Sequence, residues 1–170
     1  KISILDIGTG SGIIAITLNK LIKNSEVVAT DVSRKALKVA KKNQKLHKTN
    51  VKFIKTDLYK NINQKFDIII SNPPYIEQNS QNIEQKVKKH EPHLALYGGE
   101  DGLKCYREII ENIKTILKED HIIAFEIGEN QSEQLKKMIT RKLTEDKVII
   151  KKDYNDYDRY LIIYSENIDK

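Results

Sequence analysis

The residues best placed to do chemistry follow a short apolar run near the middle of the chain: Asn72, Pro73, Pro74 and Tyr75. Because proline fixes φ and has no N–H to donate, a strand cannot continue through them and the chain must turn. The Asn72 side chain and the Pro73 main chain each offer a carbonyl acceptor, and Tyr75 offers an aromatic face. Two acceptors beside a flat surface suit a planar group that carries an NH2, such as adenine, cytosine or a carboxamide. The alternative is that these residues form only a turn, since Asn-Pro commonly opens one.

A glycine-rich loop lies near the start of the chain, between a predicted strand and a predicted helix. Its residues are Asp6, Ile7, Gly8, Thr9, Gly10, Ser11 and Gly12. Glycines let the backbone turn sharply and let a ligand approach main-chain N–H groups near a helix start. Read from Gly10, the dinucleotide fingerprint Gly-x-Gly-x-x-Gly/Ala would be completed by Ala15, so the spacing alone discriminates weakly between cofactors.

Three acidic residues close the first three predicted strands, namely Asp6, Asp31 and Asp57. Asp31 stands where an acid accepts hydrogen bonds from ribose hydroxyls. Asp6 repels a pyrophosphate but can pair with an ammonium, which favours S-adenosylmethionine over a dinucleotide. Asp57 can accept from the adenine amino group while Leu58 packs on the ring. Each acid alone could be a solvated strand end or a helix cap, but together with the loop they predict a cofactor site. The residues that we expect to contact the cofactor are Asp6, Gly8, Thr9, Gly10, Ser11, Gly12, Asp31, Asp57, Leu58 and Asn72.

Alternating strands and helices must bring these residues together. The apolar runs predict strands at Ile2–Ile7, Glu26–Asp31, Val51–Lys55, Phe66–Ser71, His121–Ile127, Lys147–Lys152 and Tyr160–Tyr164. The apolar periodicity predicts helices at Ile13–Lys23, Arg34–His47 capped by Ser33, Asp101–Lys118 and Ser132–Leu143, with a short further helix near Ile83–Lys88. This order predicts an α/β fold with a mostly parallel seven-stranded sheet and helices on both faces. The short return between Asp153 and Arg159 predicts that the last strand is antiparallel.

Length and composition describe an ordinary single domain. The chain has 170 residues, 39% of them apolar and 32% charged, and no apolar run approaches membrane-spanning length. The single cysteine, Cys105, cannot form an internal disulfide, which fits a cytoplasmic protein. The chain begins at Lys1 and its first residues already have the pattern of a core strand, so we expect it to be part of a longer protein.

The net charge of +6 raises the question of a nucleic-acid partner. Most of the 30 basic residues are lysines, which lack the bidentate fork with which arginine reads phosphates and guanines. Because the lysines are also spread along the chain, we favour a solvated lysine-rich surface over a dedicated nucleic-acid face.

These motifs carry a resemblance to a known family. The loop Asp6-x-Gly8-x-Gly10-x-Gly12 with Asp31, Asp57 and Asn72-Pro73-Pro74-Tyr75 resembles the seven-stranded S-adenosylmethionine-dependent methyltransferases of Rossmann-like fold. The Asn-Pro-Pro-Tyr signature looks like the branch that methylates adenine, cytosine or glutamine amides. Residues 91–103, Tyr106-Arg107, 126–131 and 153–159 are similar to the bacterial protein-(glutamine-N(5)) methyltransferases that modify peptide-chain release factors. Two positions depart from that family: His90 stands where an aromatic is usual, and Asp156 where a glycine is usual.

The resemblance implies that residues 1–170 form a methyltransferase domain that uses S-adenosylmethionine. It implies that Asn72, Pro73, Pro74 and Tyr75 hold the acceptor amide, and that the partners are class I peptide-chain release factors, presented by a glutamine-bearing loop, without a membrane. Members of that family also carry a small helical domain ahead of the catalytic one, which would help to dock the release factor and which this chain does not include.

Three rival functions stay open. An adenine-specific DNA or RNA methyltransferase would use the same four residues on a flipped base and would bind nucleic acid. A nucleotide-dependent oxidoreductase is disfavoured by Asp6 and by the corner, and a non-catalytic binding module is disfavoured because the corner is intact. His90 and His93 could suggest a metal site, but two histidines do not suffice because a metal needs further ligands. We therefore predict no metal and interpret both histidines as polar loop residues.

Overall fold

The computed structural model describes residues 1–78 and 96–169. The strands are β1 (Ile2–Ile7), β2 (Ser25–Asp31), β3 (Val51–Lys55), β4 (Phe66–Ser71), β5 (Leu117–Glu126), β6 (Lys147–Lys152) and β7 (Asp158–Tyr164). The α-helices are α1 (Ile13–Leu21), α2 (Arg34–His47), α3 (Lys104–Glu111) and α4 (Ser132–Lys142), and short 3-10 turns cover Ile113–Ile116 and Glu166–Asp169.

All seven strands form one sheet in the order β3-β2-β1-β4-β5-β7-β6. The pairs among β1 to β5 are parallel, whereas β7 is antiparallel to both β5 and β6. A turn closed by a hydrogen bond from the Asp153 N–H to the Tyr157 carbonyl, 2.9 Å long, returns the chain from β6 to β7. The predicted fold class is confirmed, including the antiparallel last strand.

Helices cover both faces of the sheet, and the central strands are buried on both faces, as in β1, where every residue after Ile2 is buried. Leu5 and Ile7 of β1 face one side, where they join a cluster that includes Tyr106 of α3 and Leu135 of α4. Ile4 faces the opposite side, in a second cluster built with α1 and the edge of β2 and β3. Successive side chains on a strand point to opposite faces, so the central strands must be apolar on both.

The predicted helix Asp101–Lys118 is wrong in length. Helix α3 begins only at Lys104 and ends at Glu111, after which Asn112 leaves the helical region with φ −121° and ψ 19°. A 3-10 turn follows, and β5 starts at Leu117, four residues before the predicted His121. Because Ile113 and Ile116 are buried in that turn, their spacing imitates a continuing helix.

Other boundaries differ by a few residues. Helix α1 stops at Leu21 because Ile22 is extended, and β7 starts two residues before the predicted Tyr160. The Ser33 cap is confirmed, since its side chain accepts from the Ala36 N–H at 3.2 Å. The predicted short helix near Ile83–Lys88 lies outside the described residues. Within the described part of the chain, no helix combines the length and apolar character needed to cross a bilayer.

Candidate active site

The carboxyl ends of four strands meet at one edge of the sheet. Ile7 of β1 pairs with Thr30 of β2 on one side and with Ser71 of β4 on the other. Asp31 of β2 pairs with Lys55 of β3. The glycine loop, the three acids and the Asn-Pro-Pro-Tyr corner therefore leave the sheet side by side, which is where open α/β sheets bind ligands.

Asp31 holds the glycine loop in place. Its Oδ2 accepts from the Gly10 N–H at 2.9 Å, and its Oδ1 accepts from the Ser33 N–H at 2.7 Å. The Thr9 N–H donates to the Thr30 carbonyl at 2.9 Å, and the Asn43 amide donates to the Ser11 carbonyl at 2.9 Å. A carboxylate oxygen has more than one acceptor direction, so Asp31 can still accept from a ligand hydroxyl.

Asp6 is a buried carboxylate with one unused oxygen. Only 1% of the residue is exposed, and its Oδ2 accepts from the Thr9 hydroxyl at 2.6 Å and from the Ala15 N–H at 3.2 Å. Its Oδ1 is buried and has no hydrogen-bond partner among the described residues. Burial raises the pKa of Asp6 to about 6, and the nearby Asp31 carboxylate adds to the rise. A cation at Oδ1 would offset the cost of burying this charge.

The loop also has room for a ligand at its first two glycines. A Cβ built at Gly8 or at Gly10 would meet nothing within 4 Å, whereas one at Gly12 would lie 2.9 Å from the Ala40 Cβ. The loop is thus packed against α2 at its end and open at its start. Open main chain beside a buried carboxylate fits an adenosyl cofactor that carries an ammonium group.

Asp57 and Leu58 follow β3 at the same edge. The Asp57 carboxylate is exposed and forms an ion pair with the Lys60 ammonium. Leu58 adopts φ 51° and is half-buried against the main apolar cluster. Their contact with an adenine ring stays a prediction, since the structure gives Asp57 a different partner and Leu58 a packing role.

The corner after β4 presents one polar side chain and buries its neighbours. Asn72 is exposed, whereas Pro73 is buried and Tyr75 is half-buried against the main apolar cluster. The Tyr75 hydroxyl donates to Glu126 Oε1 at 3.4 Å, and burial together with the Glu126 charge raises the pKa of Tyr75. The Ser71 hydroxyl donates to the Ile7 carbonyl at 2.7 Å, which ties the start of the corner to the end of β1. The four predicted residues are therefore beside the predicted cofactor loop.

A second segment, Leu96–Gly102, forms main-chain hydrogen bonds with the residues that directly follow the corner. The Ile76 N–H donates to the Leu96 carbonyl at 3.0 Å, and the Gly98 N–H donates back to the Ile76 carbonyl at 2.8 Å. The Gln78 N–H donates to the Gly99 carbonyl at 3.0 Å. The chain that leaves the corner is thus paired like a short piece of sheet.

Two glycines of this segment allow the close approach. A Cβ at Gly98 would lie 2.5 Å from the Pro74 carbonyl oxygen, and one at Gly102 would lie 2.3 Å from the Tyr75 carbonyl oxygen. Both distances are shorter than real side chains tolerate. Sequence analysis noted residues 91–103 only as a resemblance and assigned these glycines no role.

Sequence analysis also missed two side chains that support the corner, one from the N-terminal boundary of α4 and one from α3. Gln131 donates from Nε2 to the Tyr75 carbonyl at 2.9 Å and accepts at Oε1 from the Gly128 N–H at 3.0 Å. The Tyr106 hydroxyl donates to the Glu126 carbonyl at 2.6 Å. Both residues lie in segments that the motif resemblance had marked, which was the available signal. His90 and His93 lie outside the described residues.

Comparison with known proteins agrees with this geometry. The chain is 39% identical over 170 aligned residues to the release factor glutamine methyltransferase of Bacillus cereus, covering 98% of this chain and 60% of that relative. Among solved structures it superposes on a methyltransferase from Pyrococcus furiosus with a TM-score of 0.71 at 22% identity, covering 96% of this chain and 74% of that one. It superposes on a release factor-specific protein-(glutamine-N5) methyltransferase from Alicyclobacillus acidocaldarius with a TM-score of 0.59 at 21% identity, covering 97% and 80%.

The motif resemblance found in the sequence is confirmed by these relatives, although the chain spans only 58 to 60% of the length of those at the head of the comparison. At 21 to 22% identity the two structural matches establish the fold, which is the Rossmann-like methyltransferase fold. The sequence profile of the methyltransferase small domain matches residues 1–100, which include the glycine loop and the corner. The chain therefore belongs to the methyltransferase small domain family.

Proposed function

We propose that this protein transfers a methyl group from S-adenosylmethionine to the side-chain amide nitrogen of a glutamine in class I peptide-chain release factors. The carrying observation is the position of the Asn72–Tyr75 corner, directly after β4 and next to the glycine loop that follows β1. The names of the relatives support the same acceptor, since the Bacillus cereus protein is a release factor glutamine methyltransferase.

The cofactor is held by the ends of β1, β2 and β3 in this proposal. Asp6 Oδ1 accepts from the cofactor ammonium, which gives the buried carboxylate the cation that it lacks among the described residues. Asp31 accepts from the ribose hydroxyls while it keeps its bonds to the loop. Asp57 accepts from the adenine amino group in exchange for its exposed ion pair with Lys60. S-adenosylmethionine supplies a methyl group already activated by a positively charged sulfur.

The corner makes a poor nucleophile reactive. A carboxamide nitrogen attacks weakly because its lone pair is delocalised into the carbonyl. The Asn72 side-chain oxygen and the Pro73 carbonyl each accept one N–H of the glutamine amide, so negative potential lies where the nitrogen develops positive charge. Preorganised contacts of this kind contribute about 3 kcal/mol each. The same two contacts would also fix the orientation of the amide, and orientation is a large share of rate enhancement.

The balance of the reaction is simple. A bond forms between the amide nitrogen and the methyl carbon, the bond from that carbon to sulfur breaks, and the sulfur keeps the electron pair. The nitrogen then carries one proton in excess, which it releases to water after transfer. Tyr75 packs beside the amide plane and keeps the acceptor group flat against the corner.

The test is to offer one protein three acceptors. The protein, with S-adenosylmethionine labelled on the methyl group, is incubated with a class I release factor, with a DNA duplex and with an RNA of similar length. We expect label on the release factor, and mass spectrometry should place it on a single glutamine. A release factor in which that glutamine is replaced by alanine is the matched control and should stay unlabelled. Label on adenines with none on the release factor would establish the rival nucleic-acid function instead.

A further inference from the structure

Gln131 contacts three segments: the corner at Tyr75, the loop after β5 at Gly128, and the Leu96–Gly102 segment at Gly102. It lies at the N-terminal boundary of α4, directly after the loop that leaves β5. Side chains at this helix position commonly accept from the first free N–H groups of their own helix. Gln131 makes no such side-chain cap bond. Its amide is directed away from the helix instead.

The amide of Gln131 links two loops through opposite ends. Nε2 donates to the Tyr75 carbonyl at 2.9 Å, across 56 residues of sequence, and Oε1 accepts from the Gly128 N–H at 3.0 Å. The Tyr75 carbonyl lies two peptide units after the Pro73 carbonyl that the proposed reaction uses. Fixing one peptide of a proline-stiffened turn fixes the others, because the turn has few free dihedrals.

The contact is closely packed. A Cβ at Gly102 would lie 2.5 Å from Gln131 Nε2 and 2.3 Å from the Tyr75 oxygen that Gln131 binds. Position 102 must therefore be glycine, because any side chain there would clash with the hydrogen bond between Gln131 and Tyr75. The main-chain turn that closes with the Gln131 N–H donating to the Gly128 carbonyl, at 3.1 Å, holds the glutamine itself in place.

We propose that Gln131 is a positioning residue, which sets the angle of the Asn72–Tyr75 corner relative to the cofactor loop by holding the Tyr75 carbonyl. This inference rests on the proposed function for its kinetic consequence, but its structural consequence can be measured without any turnover. The side chain contributes to the rate through the corner and does not touch the acceptor amide.

The decisive variant is Gln131→Glu, which keeps length and shape and replaces the Nε2 donor with an oxygen. At pH 8 its carboxylate still accepts from Gly128 but repels the Tyr75 carbonyl. We expect kcat to fall about 10- to 100-fold, as small misplacements of reacting groups do, with KM and the cofactor Kd within about threefold of wild type. As the pH is lowered toward about 5, the carboxyl regains a proton that it can donate, so the deficit relative to wild type should shrink. Gln131→Met, which cannot donate at any pH, should show the same loss without recovery.

Gln44→Glu is the matched control. Gln44 also donates from Nε2 to a main-chain carbonyl, that of Thr49 at 3.2 Å, at the far end of α2. It should leave kcat unchanged at every pH. Wild-type kcat in Gln131→Glu, or a loss that Gln44→Glu shares and that follows the fall in Tm, would overturn the proposal.

Hydrogen exchange supplies a readout independent of activity. The Ile76 and Gly98 N–H groups bond between the residue that follows the corner and the Leu96–Gly102 segment, and both should exchange at least about fivefold faster in Gln131→Glu than in wild type or Gln44→Glu. Unchanged protection would overturn the inference whatever acceptor is labelled. The proposed function itself fails differently, through a wild-type protein that labels another acceptor. In that case the kcat of each variant is measured on the acceptor that wild type labels.

Discussion

The glycine loop after β1 and the Asn72–Tyr75 corner after β4 lie side by side but are held in different ways. Charged side chains hold the loop: Asp31 binds the Gly10 N–H, and Asp6 binds the Thr9 hydroxyl and the start of α1. One neutral amide, that of Gln131, holds the corner at the Tyr75 carbonyl, and main-chain bonds to Leu96–Gly102 hold the residues that directly follow it. In the proposed function the same carboxylate side chains, Asp6 and Asp31, would both support the loop and bind the cofactor.

Glycine has a different purpose in each region. Gly10 adopts φ 57°, which favours glycine, and its missing side chain leaves open space beside the main chain. Gly98 has no positive φ to accommodate, and its missing side chain is what lets two main-chain segments touch. We therefore expect substitutions in the loop to weaken cofactor affinity, and substitutions in and around the corner to lower stability and kcat.

Asn72→Ala should distinguish the two regions most clearly, because it should change kcat and leave cofactor affinity nearly unchanged. Removing one acceptor of the amide should lower kcat about 150-fold, the scale of a lost oxyanion-type contact of about 3 kcal/mol, while the cofactor Kd stays within about threefold. Initial rates with labelled methyl donor and calorimetric titration of cofactor measure the two. Asn50→Ala, which changes an exposed asparagine just before β3 at the opposite end of the sheet, is the control. Comparable methylation by Asn72→Ala would defeat the corner mechanism.

Gly98→Ala should destabilise the protein through the corner alone. The new methyl group would lie 2.4 Å from the Gly102 oxygen and 2.5 Å from the Pro74 oxygen, so both main-chain segments must move. Overpacking of this kind costs about 3 kcal/mol. Urea unfolding measures the loss, and an unchanged midpoint would show that the corner is not tightly packed in solution.

Asp6→Asn should separate stability from binding in the loop. The native pKa of Asp6 is about 6, above its ordinary 3.8, so the folded protein binds an extra proton between these values. The contribution of Asp6 to the free energy of unfolding is therefore greatest below about pH 4 and falls by about 3 kcal/mol as the pH rises through 6. The Asn variant cannot lose that proton and should show a flatter curve over the same window.

Cofactor affinity should move in the opposite direction. The Asp6 carboxylate pairs with an ammonium only when it is charged, so wild-type affinity should rise as the pH passes 6, and Asp6→Asn should lack this rise. The two curves are measured by urea unfolding and by titration of cofactor from pH 4 to 8. Parallel behaviour of wild type and variant in both measurements would contradict the role of Asp6.

Gly10→Ala should have the smallest effect on folding. At φ 57° an alanine costs about 1 kcal/mol, and the added methyl group meets no atom within 4 Å. It does fill the space at the start of the loop, so cofactor affinity should fall about tenfold or more while the urea midpoint shifts little. A variant that binds cofactor as tightly as wild type would show that the ligand does not approach this face of the loop.

Much of the fold follows from local patterns. Short apolar β-branched runs mark strands wherever they are bounded by turn residues, and β1, β3, β4 and β6 begin and end where the sequence predicts. Alternation with helices then limits the topology to a mostly parallel sheet. The corner is equally local, because two prolines end a strand in any context.

The length of α3 and the left-handed turn at Asp156 needed the tertiary structure. Ile113 and Ile116 are buried by contacts with the sheet, and burial gives the same spacing in a 3-10 turn as in an α-helix. Asp156, noted as unusual where related sequences have glycine, adopts φ 67°, the region that glycine enters at least cost. Sequence analysis identified the position but not the reason.

The sequence by itself determined where each piece of the site lies along the chain: a flexible loop, acids at strand ends and a rigid corner, all consequences of neighbouring residues. Only the tertiary structure decided what supports them. Gln131 reaches the Tyr75 carbonyl across 56 residues, and Gly98 matters because of a segment that it touches in space. Such contacts depend on how distant elements approach each other, and no local pattern of residue types encodes that distance.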